Sequence, residues 1–209
     1  NIHEAVMMVG LRGLRNHLFS YGTQKILGQE SDKTRTLWQH SYRTAYYSYS
    51  IAKNILHNRA ILDDVYIGGI LHDMGKIVFS SVHPDLIRNI ERFCHDKNIP
   101  NVLFEDMSAG LNHAEIGGLI AAKWNFPEVL IEAIKCHHVP VNAKTGNRTV
   151  VNTVYLANGL AEHEGENLDY EHMDPEILAQ FGVRNAEHFN NLRSKLTAAF
   201  ERESRLRDT

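Results

Sequence analysis

The chain has 209 residues, of which 43% are apolar and 22% charged, and a formal net charge of −3. That size and balance suit one large domain or two small ones with a core of ample size, and they exclude a global electrostatic pull toward nucleic acid or an anionic membrane. No run of about 18 apolar residues is present and no signal peptide is visible, so a cytoplasmic, non-membrane chain is expected; the two cysteines, Cys94 and Cys136, have no zinc-knuckle or disulfide-framework spacing and fit a reducing compartment.

The hydrophobic period is helical almost throughout, with no convincing alternation of the strand type. Residues 2–9 read as a short apolar helix ending at Gly10, and 11–27 as an amphipathic helix through Leu11, Leu14, Leu18 and Ile26, stopped by Gly28. A polar loop from Gly28 to Lys33 precedes a long helix, 34–57, that carries Trp38, Ala45, Tyr49, Ala52 and Leu56, with His40 in its early turns. Asp63 or Asp64 is placed to cap the next helix, 64–81, which holds Ile67, Ile70, Leu71, Met74, Ile77 and Val78, with His72 and Asp73 inside it. Pro84 suits the first turn of a helix at 84–96. Pro100 and Asn101 open a further segment, and His113 to Trp124 continues as helix.

Pro127, in a first-turn position, starts a helix at 127–138 with Leu130, Ile131 and Ile134 on one face. Residues 139–147 are a loop by composition, and 148–163 a helix through Val151, Val154, Tyr155 and Leu160. Asp174 and Pro175 signal a cap and first turn for 175–181, and a last helix at 185–204 ends in a charged tail expected to fray. The pattern predicts an all-α helical bundle in a single domain. Its expected parts are residues 1–30, the end of an N-terminal helical portion, a core at 31–163, and C-terminal helices and tail at 164–209. The chain opens at Asn1 already in helical pattern and without Met, so further residues are expected upstream.

Thirteen histidines are an unusual share for this length. His3, His17, His57, His83, His95, His163, His172 and His188 sit among polar neighbours, whereas His40, His72, His113, His137 and His138 lie beside apolar helix faces. Asp73 follows His72 in the run Leu71-His72-Asp73-Met74-Gly75-Lys76. A buried, unpaired carboxylate costs several kcal/mol unless a cation or hydrogen bonds hold it, and neutral imidazole beside carboxylate is a donor mixture that divalent Zn, Fe, Mn and Ni accept. His137 continues the stripe of Leu130 and Ile134, and His113 precedes Ala114, Gly117 and Gly118, small residues that permit close approach. Each piece has a plainer reading: a single histidine as a core side chain, His137-His138 as a solvated helix end, Lys76 as an exposed helix residue. Only the joint pattern argues for a pocket holding one or two metal ions.

That order, His40, then His72-Asp73-Met74-Gly75-Lys76, then His113, then His137-His138, resembles the HD superfamily of metal-dependent phosphohydrolases. More closely, the chain resembles an HDOD domain, the HD-related output domain of bacterial signalling. The resemblance rests on Ile2 to Arg15, Leu37-Trp38-Gln39-His40-Ser41, Gly68 to Lys76, Asn112-His113-Ala114-Glu115-Ile116-Gly117, Trp124 to Glu128 with His137-His138, and Tyr155-Leu156-Ala157-Asn158. It implies that His40, His72, Asp73 and Asn158 hold one metal and that Asp73, His113, His137 and His138 hold a second. In an active member the metal activates water and Lys76 binds a phosphoryl oxygen, with Asp73 and Lys76 as the catalytic pair.

Two departures bear on function. The last metal ligand of the hydrolases is an Asp, and the matching position here is Asn158, which offers a neutral carbonyl oxygen. The Gly-Tyr-Pro sequence of the related phosphodiesterases is replaced by Val139-Pro140-Val141. The resemblance therefore implies a signalling output module, weak or inactive as a catalyst, that works with a signalling protein partner or an attached regulatory domain. The alternatives are a metal-dependent phosphohydrolase acting on a nucleotide or phosphodiester, and a domain in which metal or ligand binding changes helix packing.

Overall fold

The computed structural model describes residues 32–77, 92, 105, 112–161 and 170–207. The helices expected at 2–9, 11–27 and 84–96, and the segment opening at Pro100, lie outside those residues or almost wholly so. Seven α-helices can be followed: α1 (Asp32–Asn54), α2 (Leu62–Leu71), α3 (His113–Lys123), α4 (Glu128–Lys135), α5 (Arg148–Leu160), α6 (Pro175–Gln180) and α7 (Ala186–Arg207). Short 3-10 turns occupy Arg59–Ile61, Pro140–Asn142 and Tyr170–His172. Among the described residues there is no strand, so the all-α expectation holds.

Local chemistry explains the helix starts. Asn112 caps α3: its side chain accepts from the Glu115 N–H at 3.0 Å, while the Glu115 carboxylate accepts from the Asn112 N–H at 3.4 Å. Asp174 caps α6 by accepting from the N–H groups of Glu176 and Ile177, as its Asp-Pro sequence predicts. Asp63 and Asp64 stand inside the first turn of α2, where they complement its positive end, instead of capping it; a 3-10 turn that starts at Arg59 has already begun the chain's rotation. Pro127 is likewise the cap of α4, one place before the helix.

The ends differ more from expectation than the starts. The helix expected at 64–81 stops at Leu71, and His72 and Asp73 form a turn before helical geometry resumes at 74–77. The helix expected at 127–138 stops at Lys135, so His137 and His138 lie past its end. α1 and α5 end three residues earlier than the period suggested, at Asn54 and Leu160, whereas α7 runs on to Arg207, three residues past the expected end. After α3, Asn125 takes φ 56° and the N–H groups of Asn125 and Phe126 reach back to the carbonyls of Ala122 and Ala121, a Schellman closure that turns the chain sharply into α4.

Among the described residues the core falls into separate clusters, two of them large. Tyr47 and Ile51 of α1 pack with Leu156 and Leu160 of α5, Leu178 of α6 and Phe189 of α7. Ala45 of α1 packs with Ile67, Ile70 and Leu71 of α2, Met74, Ala121 of α3, and Leu130 and Ile134 of α4. Two glycines set the spacing around the second group. A Cβ on Gly69 would lie 2.6 Å from Ala45 Cα, and one on Gly75 would collide with the His113 carbonyl oxygen. α2 therefore lies directly on α1, and the 74–77 turn directly on the start of α3. These contacts draw together the ends of α2, α3 and α4 and the inner faces of α1 and α5.

Candidate metal centre

Five helices deliver the candidate ligands to one place. His40 projects from α1, His72 and Asp73 from the turn after α2, His113 from the first position of α3, His137 and His138 from the turn after α4, and Asn158 from α5. His40, His72, Asp73, His113 and His137 are buried, and His138 and Asn158 half-buried. The remaining described histidines, His57, His172 and His188, are exposed.

Asp73 is the hub. Its Oδ1 lies 3.3 Å from His113 Nε2 and 3.6 Å from His137 Nε2; its Oδ2 lies 3.3 Å from His72 Nε2 and 3.8 Å from His40 Nε2. Lys76 Nζ donates to Oδ2 at 3.0 Å. His138 Nε2 is 3.0 Å from His113 Nε2. Two sets of donor atoms result, Asp73 with His113, His137 and His138, and Asp73 with His40 and His72, each set within 4.8 Å of one another. Asn158 lies beside the second: its Oδ1 accepts a hydrogen bond from His40 Nε2 at 2.9 Å.

The local folds that aim the rings are the helix ends themselves. His72 Nδ1 lies 2.8 Å from the carbonyl oxygen of Gly69, and His137 Nδ1 lies 2.7 Å from that of Ile134, each three residues back. In both cases the ring donates to a carbonyl at a helix C-terminus, where the backbone lacks its usual partner. That bond satisfies the carbonyl, fixes the Nδ1–H tautomer and turns Nε2 into the cluster. It also explains why both histidines stand past their helices and not within them.

Burial and charge act oppositely on the acidic and basic members. Burial alone would raise the Asp73 carboxyl, but His72, Lys76 and contacts from His113 and His137 outweigh it and hold Asp73 well below the usual carboxylate range. Burial pushes His137 down to about 4 and, with the neighbouring His137 and His113 rings, pushes His138 well below its ordinary value. Burial and Lys76 would lower His113 too, but the nearby Asp73 and Glu105 carboxylates leave it raised. Asp73 thus remains anionic, and His137 and His138 stay neutral, which are the forms that ligate metal.

Two buried atoms test whether a metal fits. His72 Nε2 and Asp73 Oδ1 have no hydrogen-bond partner, although each is close to other ligand-type atoms. A buried orphan donor or acceptor costs about 1–3 kcal/mol, more if charged. Both point into the cluster, and a divalent ion bound among imidazole nitrogens and a carboxylate would satisfy both. The residues present therefore fit such a group.

One participant has no counterpart in the sequence reading. Glu105, itself buried, places Oε2 2.6 Å from His113 Nδ1 and 2.8 Å from the His113 backbone N. Burial would raise this carboxyl, but the His113 ring and backbone bonds lower it. The only sequence signal was an acid directly after the apolar stretch Val102-Leu103-Phe104.

An all-α bundle that closes five helices around a shared aspartate and five histidines defines an HD-type helical domain. A family model of the HDOD domain matches residues 1–140, and the chain belongs to that family. An uncharacterized protein of Treponema pallidum (strain Nichols) is 32% identical over 203 residues, which is 97% of this chain but 39% of that protein. The crystal structure of a "putative phosphohydrolase" from Shewanella amazonensis SB2B superposes with a TM-score of 0.72 at 21% identity, over 95% of this chain and 72% of that one. An HDOD domain protein of unknown function from Geobacter sulfurreducens gives the same score and identity, over 97% and 72%. These two structures share the fold.

Proposed function

We propose that this chain is an HDOD output module of bacterial signal transduction whose His/Asp centre holds a divalent transition metal, Fe, Mn, Zn or Ni, with weak turnover or none. The observation that carries the reading is the Asn158 amide against His40. A carboxylate there would add a second anionic ligand. With Asn158, Asp73 is the one carboxylate among the ligand atoms that two ions would share. Two dications around one carboxylate, with the Lys76 ammonium alongside, repel strongly in a buried site. One ion, held mainly by Asp73, His113, His137 and His138, is the arrangement this charge balance favours. The helical bundle then acts on a signalling protein or an attached regulatory domain in the cytoplasm.

A second reading, a phosphohydrolase acting on a nucleotide or phosphodiester, draws on Lys76 beside Asp73 and on the carboxylate shared by two donor sets. A bound ion would supply Lewis-acid polarisation there; Asp73 would orient Lys76, and Lys76 would meet a phosphoryl oxygen. Metal analysis after anaerobic loading with iron, manganese or zinc, together with hydrolysis of bis(p-nitrophenyl) phosphate, separates the two. The module reading expects about one ion per chain and hydrolysis that is slow or at background. Hydrolysis at about 1 s−1 or faster that vanishes in both His72→Ala and Asp73→Ala would overturn it in favour of the enzyme.

A further inference from the structure

We infer that Glu105 is a positioning residue of the centre: its carboxylate orients His113 and makes it a stronger nitrogen donor than His72 or His137. The inference rests on the metal-binding reading above. Three histidines of the cluster have their Nδ1 bonds described, and they differ in partner. His72 and His137 donate to neutral backbone carbonyls, of Gly69 and Ile134, whereas His113 donates to a buried anion at 2.6 Å. A carboxylate behind an imidazole draws the Nδ1 proton toward itself and pushes electron density to Nε2, which strengthens that nitrogen as a ligand.

The second bond of Glu105 makes the orientation firm. The same oxygen accepts from the His113 backbone N–H at 2.8 Å, a group that begins α3 and has no partner inside the helix. Ring and backbone of His113 are thus pinned to one atom. Rotation of the ring about χ1 would break one bond without relieving the other. His113 Nε2 faces Asp73, His137 and His138 at 3.3, 3.4 and 3.0 Å. Fixing this ring consequently fixes the geometry of the whole first donor set. In the second set, His72 has the neutral Gly69 carbonyl behind its ring.

The experiment compares wild type, Glu105→Gln and Glu105→Ala by two independent readouts. Chelator competition with Co(II) and Zn(II) gives the affinity of the tighter ion, and the cobalt visible spectrum reports its ligand field. Long-range 1H–15N spectra of the metal-free protein report which nitrogen of His113 carries the proton. The expected result is a loss of affinity of about ten- to a hundredfold in Glu105→Ala, an altered cobalt spectrum, and a smaller loss in Glu105→Gln, which keeps an acceptor but not the charge. In the metal-free spectra, His113 is expected to hold its Nδ1 proton in wild type and to lose that preference in Glu105→Ala. Unchanged affinity and cobalt spectrum in a folded Glu105→Ala would overturn the inference, as would equal thermal destabilisation of both variants with no change at His113. If wild type bound no ion but His113 still followed Glu105 in the metal-free spectra, the metal reading would fall and the positioning role would stand.

Discussion

Asp73 and Asn158 set the chemistry at the residue scale. Asp73 touches both donor sets, so Asp73→Ala is expected to abolish metal retention, leaving less than about a tenth of the wild-type content by elemental analysis. Retention of the wild-type content would mean that the ion sits elsewhere. Asn158→Asp should act in the opposite sense. It places a carboxylate 2.9 Å from His40 Nε2 in place of an amide oxygen, and affinity for a second ion should rise by about tenfold in chelator competition. No gain would remove Asn158 from the ligand set. The six histidine and aspartate side chains that the structure gathers were legible in the sequence because their types are the donors that metals prefer and because they stood beside apolar periodicity. Glu105 was not legible. It reaches His113 across eight residues and lies in no periodic pattern that would have aimed it there.

At the element scale, most described helices could be read from their period, but the ends that make the site could not. Periodicity counts apolar residues, and His72 and His137 fall in phase with their helices, so the stripe ran straight through both. What stops the helices is a ring-to-carbonyl bond three residues back, a local competition with the helical ladder that hydrophobic spacing cannot register. The close approach of elements was partly readable. Gly117 and Gly118 were expected to admit a neighbour, and a Cβ on each would lie 2.8 Å from Ile134 Cγ2 and 2.9 Å from Lys135 Cβ. Gly75 is the tighter constraint, because the atom it faces is backbone. Gly75→Ala must push the 74–77 turn off the start of α3, separating Asp73 from His113. A cost of about 1–3 kcal/mol is expected from overpacking, read as a lower urea midpoint, together with weaker metal binding. Gly146→Ala, with nothing within 4 Å of its new methyl, is the matched control and should change neither.

For the whole molecule, the centre joins parts of the chain that are far apart in sequence. The candidate ligands include side chains from α1 and α5, helices that pack against one another but whose His40 and Asn158 are 118 residues apart in sequence. An unfolded chain cannot assemble that set, so an ion binds the folded state almost exclusively and its binding energy becomes folding energy. At a free metal concentration a hundred times Kd the gain is about 2.7 kcal/mol. For a domain of this size, about 2–4 °C of Tm accompanies each kcal/mol, so metal loading should raise Tm by about 5–10 °C and a chelator should reverse it. The shift should also grow with the logarithm of metal concentration, which distinguishes site binding from a general salt effect. Asp73→Ala removes the atoms shared by both sets and should leave Tm indifferent to metal, although its own Tm will differ from wild type because His72, His113 and Lys76 lose a common partner. A wild-type Tm that ignores added zinc, manganese and chelator alike would show that the cluster holds its helices together through its own hydrogen bonds alone.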